Sequence, residues 1–206
     1  MYAPWRYTNK WYTIGSMKAL HLTRPHAIMM VGIPGSGKTF FASHFSDTFT
    51  TPYLNLDDIE QRSADATAAG ELTVTFLTEL AKTEQTFVLE GNSATRTWRT
   101  EFAKWARAHG YIPLFVWTQV DQATALKRSL KSGRLDRDSF AKALRTFSAP
   151  HPDEKPIVIS GKHTYASQAR TVLNHLVTQN RPSSTPSPRR PSVVPVKPPR
   201  RTIGIQ

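Results

Sequence analysis

Eight residues, Gly32-Ile33-Pro34-Gly35-Ser36-Gly37-Lys38-Thr39, follow directly on the apolar run Ala27–Val31. The spacing G-x-x-x-x-G-K-[ST] requires a buried strand, a tight glycine loop and a helix that begins where the loop ends. Groups bound on such a loop lie against backbone, so Gly35 and Gly37 must lack a Cβ and tolerate unusual φ. Successive N–H groups form a nest for anions, and the helix N-terminus adds partial positive charge. Phe40, Phe41 and Phe45 continue at helical spacing. Few folds accommodate this unit, and most of them are parallel sheets covered on both faces.

The rest of the chain agrees with that restriction. Short apolar runs predict strands over 27–31, 53–56, 86–90, 112–118 and 156–159. Amphipathic stretches predict helices over 37–47, 71–83, 95–108, 121–132, 137–147 and 165–178. Strands that alternate with helices indicate an α/β fold with a parallel sheet. The clearest helix is 95–108, where Trp98, Phe102, Trp105 and Ala106 share one face and Gly110 stops it. The expected sheet has five parallel strands.

Composition divides the 206 residues into three parts. Residues 1–25 are an expected extension, with Tyr2, Trp5, Tyr7, Trp11 and Tyr12 set among Arg6 and Lys10, and Met17 is a second candidate start. Residues 26–179 form the expected domain. Residues 180–206 hold six bases and no acid among prolines and serines, a composition that predicts an extended, disordered tail able to contact polyanions. The net charge of +12 therefore sits mostly at the ends. There are no cysteines, which excludes disulfides and Cys-based zinc sites. No apolar run approaches the length of a membrane span, so no membrane contact is expected and the cytoplasm is the expected compartment. The seven histidines show no metal-ligand spacing.

The chemistry follows from the loop. Gly32, Pro34, Gly35, Ser36, Gly37, Lys38, Thr39 and Phe40 are the expected cradle for ATP. Lys38 reaches the β- and γ-phosphates and Thr39 ligates Mg²⁺. Strand ends at the carboxyl edge of a parallel sheet face the ligand crevice. Asp57 and Asp58, after the second strand, therefore suit a general base and a group that organises Mg²⁺ or its waters, the alternative being a helix cap. Glu90 ends the third strand, where a carboxylate can hold Mg²⁺. Asn92, Arg96 and Arg99 follow, with Asp58, as candidate acceptor contacts; a solvated helix face is the alternative for the two arginines. Arg128, Lys131 and Arg134 surround Gly133, where a basic segment closing on the triphosphate would supply charge to the transferring group.

These motifs, from Gly32–Thr39 through Leu56-Asp57-Asp58-Ile59 and Leu89-Glu90-Gly91-Asn92 to the basic segment, resemble the polynucleotide kinase-like branch of P-loop kinases over residues 26–179. Zeta-toxin-like and small-molecule kinases share the core motifs. The resemblance implies an α/β P-loop fold with five parallel strands in the order 2-3-1-4-5, and phosphoryl transfer to a hydroxyl, with a nucleic acid 5′-hydroxyl as the leading acceptor. It implies that Asp57 activates that hydroxyl, and that Lys38, Thr39, Arg128 and Arg134 serve the phosphates. The chain departs from the pattern at Glu90, usually aspartate, at Glu60, which stands where an arginine is expected, and at Ser132 in the sparser basic segment. The competing expectations are an AAA-type ATPase and a nucleotide-dependent binding module.

Overall fold

The computed structural model describes residues 20, 22–133 and 135–179. Five strands, β1 (His26–Val31), β2 (Tyr53–Asn55), β3 (Phe87–Glu90), β4 (Ile112–Gln119) and β5 (Ile157–Ser160), form one sheet. All four pairings are parallel and the order is β2-β3-β1-β4-β5, as expected. Seven helices accompany them: α1 (Lys38–Phe49), α2 (Leu56–Arg62), α3 (Ala66–Thr83), α4 (Arg96–Ala108), α5 (Gln122–Ser132), α6 (Arg137–Thr146) and α7 (Tyr165–Gln179).

Side chains along a strand point alternately to its two faces, and β1 is buried on both. Ile28 and Met30 meet Phe41 and Phe45 of α1 and Val172 and Leu176 of α7. Ala27, Met29 and Val31 meet Phe102, Ala103 and Ala106 of α4, with Leu77 and Leu80 of α3 beside them. A third, smaller cluster joins Ile33 of the glycine loop to Ala125 of α5 and Phe140 of α6. It seats α5 and α6 over the carboxyl end of the sheet. Leu20 and Leu22 pack against the α1–α7 layer, ahead of the expected domain start.

Three elements differ from the sequence reading. β2 ends at Asn55, and α2 starts at once where an extended run was expected through residue 56. Asn55 belongs to the strand and also caps the helix, its side chain accepting from the Asp57 N–H. α3 begins five residues earlier than expected, because Asp65 caps it and Gly70 is carried inside it. Trp98 does not share the buried face of α4: Phe102 and Ala106 are buried, whereas Trp98 is 56% exposed. The apolar stripe of α4 thus runs on beyond the packed core at this end of the helix. Almost all of the expected extension, all of the 180–206 tail and Arg134 lie outside the described residues.

Candidate active site

Gly32 to Gly37 carry the chain from β1 into α1. Gly35 has φ +74, and a Cβ there would run into the Ala125 carbonyl of α5. The loop is therefore pressed between the sheet edge and α5. Gly37 caps α1 in the left-handed region and no side chain caps the helix, which leaves its first N–H groups for an anion. Lys38 lies over the loop and donates to the Gly32 carbonyl at 2.9 Å and the Ile33 carbonyl at 3.2 Å. Burial lowers its pKa from the ordinary lysine value, and the charges of Glu90 and Asp57 partly oppose that shift. Both carboxylates therefore lie within electrostatic reach of the ammonium group.

Two buried hydroxyls at the loop, Ser36 Oγ and Thr118 Oγ1, have no hydrogen-bond partner. Unpaired buried polar atoms are costly, and at this loop an anion or its water shell is the fitting partner. Pro34 is half-buried beside them. Phe40 is 49% exposed, its ring 4.2 Å from that of His44.

Thr39, Glu90 and Tyr53 form a short chain of hydrogen bonds. Thr39 Oγ1 donates to Glu90 Oε1 at 2.8 Å, and Tyr53 OH donates to Glu90 Oε2 at 2.6 Å. Burial, the bond to Glu90 and the nearby carboxylates push the Tyr53 phenol well above the ordinary tyrosine range, so it remains a donor. Register explains the contact: Tyr53 pairs with Val88, and Glu90 lies two residues further on the same face. The sequence reading missed Tyr53, although this alternation was its signal. The Thr39 hydroxyl and Glu90 carboxylate fit Mg²⁺, which takes few protein oxygens and fills its octahedron with waters and substrate phosphates.

Asp57 sits in the first turn of α2. Its Oδ1 would lie 3.4 Å from a Cβ built on Gly91, the residue after Glu90, so the two carboxylate-bearing segments meet. Asn55 performs the capping, which leaves the Asp57 carboxylate uncommitted to that task. Asp58 is exposed on the next position. Asn92 is exposed in a left-handed conformation, with φ +50.

The arginines separate. Arg96 is exposed and lies 3.9 Å from Asp153. Arg99 is corrected from a candidate acceptor contact to a structural residue. Its side chain is fully buried, pairs with Glu154 at 2.7 Å, and donates from Nη1 to the carbonyls of Ser93 and Ser148. Four of its five N–H donors are so engaged, and a side chain with no exposed surface does not reach out to a substrate. Arg128 projects from α5 and donates to the Gly161 carbonyl at 2.9 Å. Gly161 is packed so closely on the Ser36 carbonyl that a Cβ would collide with it. Arg128 thus stands beside the glycine loop, and Gly161 is a site-forming residue that the sequence reading did not single out.

A family model described as AAA domain matches residues 28–150, well over half of the chain. The chain belongs to the AAA domain family. Solved structures agree on the fold of this AAA domain. A gluconokinase from Sinorhizobium meliloti 1021 superposes with a TM-score of 0.57 at 15% identity, over 76% of this chain and 94% of that one. Chaetomium thermophilum Kti12 in complex with ADP-AlF3 gives 0.60 at 13% identity, over 75% and 98%. The Mycobacterium tuberculosis APS kinase CysC in complex with AMPPNP and APS gives 0.56 at 17% identity, over 75% and 98%. At these identities the likeness is one of fold. No curated protein matches the chain. Among the described residues, no helix is long and apolar enough to cross a membrane.

Proposed function

We propose that this AAA domain protein is a kinase that transfers the γ-phosphoryl group of ATP to a substrate hydroxyl. The observation that carries the reading is that Asp57 and Glu90 meet beside the glycine loop: Glu90 accepts from Thr39, Asp57 lies against Gly91, and both carboxylates act electrostatically on Lys38. A nucleotide site needs the lysine and a metal-holding oxygen. A second carboxylate, not engaged in capping and close to the first, is what a transferase adds.

The acceptor O–H gives its proton to the Asp57 carboxylate as the oxygen bonds to the γ-phosphorus. The bond from that phosphorus to the β,γ-bridging oxygen breaks, and ADP leaves. Lys38 exchanges its two loop carbonyls for β- and γ-phosphate oxygens. Arg128 exchanges the Gly161 carbonyl for the nucleotide in the same way. Thr39 and Glu90 would hold Mg²⁺, which would supply charge neutralisation to the phosphates. Positioning and charge supply most of the catalysis in such transfers.

The motif resemblance implies a nucleic acid 5′-hydroxyl as acceptor. The surroundings of Asp57 favour a small alcohol instead, because Arg99 is withdrawn into the core and no lysine or arginine lines the adjoining cleft. Two variants test the reading. Lys38→Ala abolishes ATP turnover with the fold retained. Asp57→Asn keeps ATP affinity and loses about 10²- to 10⁴-fold in transfer. ATP consumption that proceeds equally without any hydroxyl acceptor, and that Asp57→Asn leaves unchanged, would identify an ATPase instead.

A further inference from the structure

Beside Asp57 a cleft of about 360 Å³ opens between α3 and the first turn of α4. It continues into an apolar recess of about 200 Å³ floored by Met29 and Leu89, with Phe102 and Trp105 on one side. Leu56, Thr73, Asn92 and Trp98 line both, so the two adjoin. Its charged lining consists of Asp57, Glu60 and Glu101, all acidic. Arg99 is locked to Glu154, and Arg96 faces Asp153 in a separate depression. A phosphate or carboxylate brought here meets only like charge and no donor fork.

Two walls give the space its shape. On one side stands Trp98, the large aromatic that α4 leaves exposed. On the other, α3 presents Ala66, Ala69 and Gly70, with Thr73 and Val74 on the following turn. A Cβ built on Gly70 meets nothing within 4 Å, so that wall faces open space. Glycine inside a helix costs up to about 1 kcal/mol against alanine, and α3 keeps one where it borders the cleft. An exposed indole opposite a wall of small residues makes a slot for a flat group, and the recess behind it takes an apolar extension.

We propose that the acceptor is a small, unphosphorylated alcohol carrying a flat ring, which stacks on Trp98 and directs its hydroxyl at Asp57. Trp98 and Gly70 are then the specificity-determining residues. The inference rests on the kinase reading. Proton and phosphoryl group move as that reading states, with the ring alcohol as the O–H donor and ADP and the phosphate monoester as products.

The test uses the full chain with ATP and Mg²⁺ and a panel of acceptors. One arm holds nucleosides and aromatic amino-alcohols; the other holds gluconate, ribose 5-phosphate, nucleoside monophosphates and a 5′-hydroxyl oligonucleotide. ADP release and product mass are read for each. The expected result is a phosphorylated product in the first arm only. Trp98→Ala should raise KM for that acceptor roughly tenfold, the range of one aromatic stacking contact, with ATP affinity unmoved. Gly70→Leu, which favours the helix and fills the slot, should abolish transfer while the melting temperature and ATP affinity hold. Products confined to the second arm would overturn the inference and leave the kinase reading standing, as would an unchanged ring-alcohol KM in Trp98→Ala. ATP binding without product in either arm overturns both.

Discussion

Glu90 has two carboxylate oxygens, and each accepts a hydrogen bond, one from Thr39 and one from Tyr53. A glutamate reaches one carbon further than the aspartate usual at this strand end, and the extra length lets it touch α1 and β2 at once. Tyr53 thus tethers the edge strand to the metal-holding position. Tyr53→Phe leaves Glu90, only 4% exposed, with an unsatisfied oxygen. The expected cost is about 1–3 kcal/mol in urea unfolding of the nucleotide-free protein, together with a higher Mg²⁺ requirement for turnover. Equal stability of the two proteins would show the bond to be dispensable. At this scale the sequence was legible where neighbours in the chain do the work. The loop from Gly32 to Thr39 could be read directly, because its geometry is local. Arg99 could not: its partner Glu154 lies 55 positions away, and a lone arginine at a helix start looks alike whether it faces phosphate or core. Trp98 fitted the helical period, but no period reports where the packed core stops.

The Arg99–Glu154 pair fastens α4 to the segment that leads into β5. Besides the pair itself, Arg99 holds the Ser93 and Ser148 carbonyls, and Glu154 accepts from the His151 N–H at 2.7 Å. Burial pushes the Glu154 carboxyl upward, but the bonds from Arg99 and His151 outweigh it, and the pKa is lowered from the ordinary glutamate value of 4.5. A depressed carboxylate contributes stability that is present above its unfolded pKa and lost as pH falls through its folded one. The free energy of unfolding should therefore decline with acid below about pH 4.5, more steeply than in Glu154→Gln. Denaturant titrations of both proteins between pH 2 and pH 7 check the slope. Arg99→Met, which strands the carboxylate, should cost about 3–5 kcal/mol at pH 7. Among elements, strands were predicted to within a residue or so, since each is a compact apolar run between breakers. α2 was not, because a seven-residue helix abutting a strand has no room for a separate cap, and Asn55 fills both roles.

Across the whole molecule the parallel α/β class followed from the alternation of strands and helices and the strand order from the motif resemblance, while the charge distribution followed from composition alone. Among the described residues, the packed clusters draw on positions between Leu20 and Leu176. Those last residues carry six bases and no acid. Cutting after Asn180 should leave melting temperature and ATP affinity unchanged, and should reduce retention on heparin in a salt-dependent manner. Equal retention of both proteins would remove the tail as a polyanion contact. One arrangement already described also governs how the chain comes to be folded. β1 is synthesised first, yet it occupies the middle of the sheet and pairs with β3 and β4, the latter more than eighty residues later. At ~5–20 residues per second, both edges of this apolar strand stay open on the ribosome for on the order of ten seconds. During that interval β1 offers unpaired backbone to any other nascent strand nearby, so the glycine loop cannot take up its binding shape until the second half of the domain has emerged.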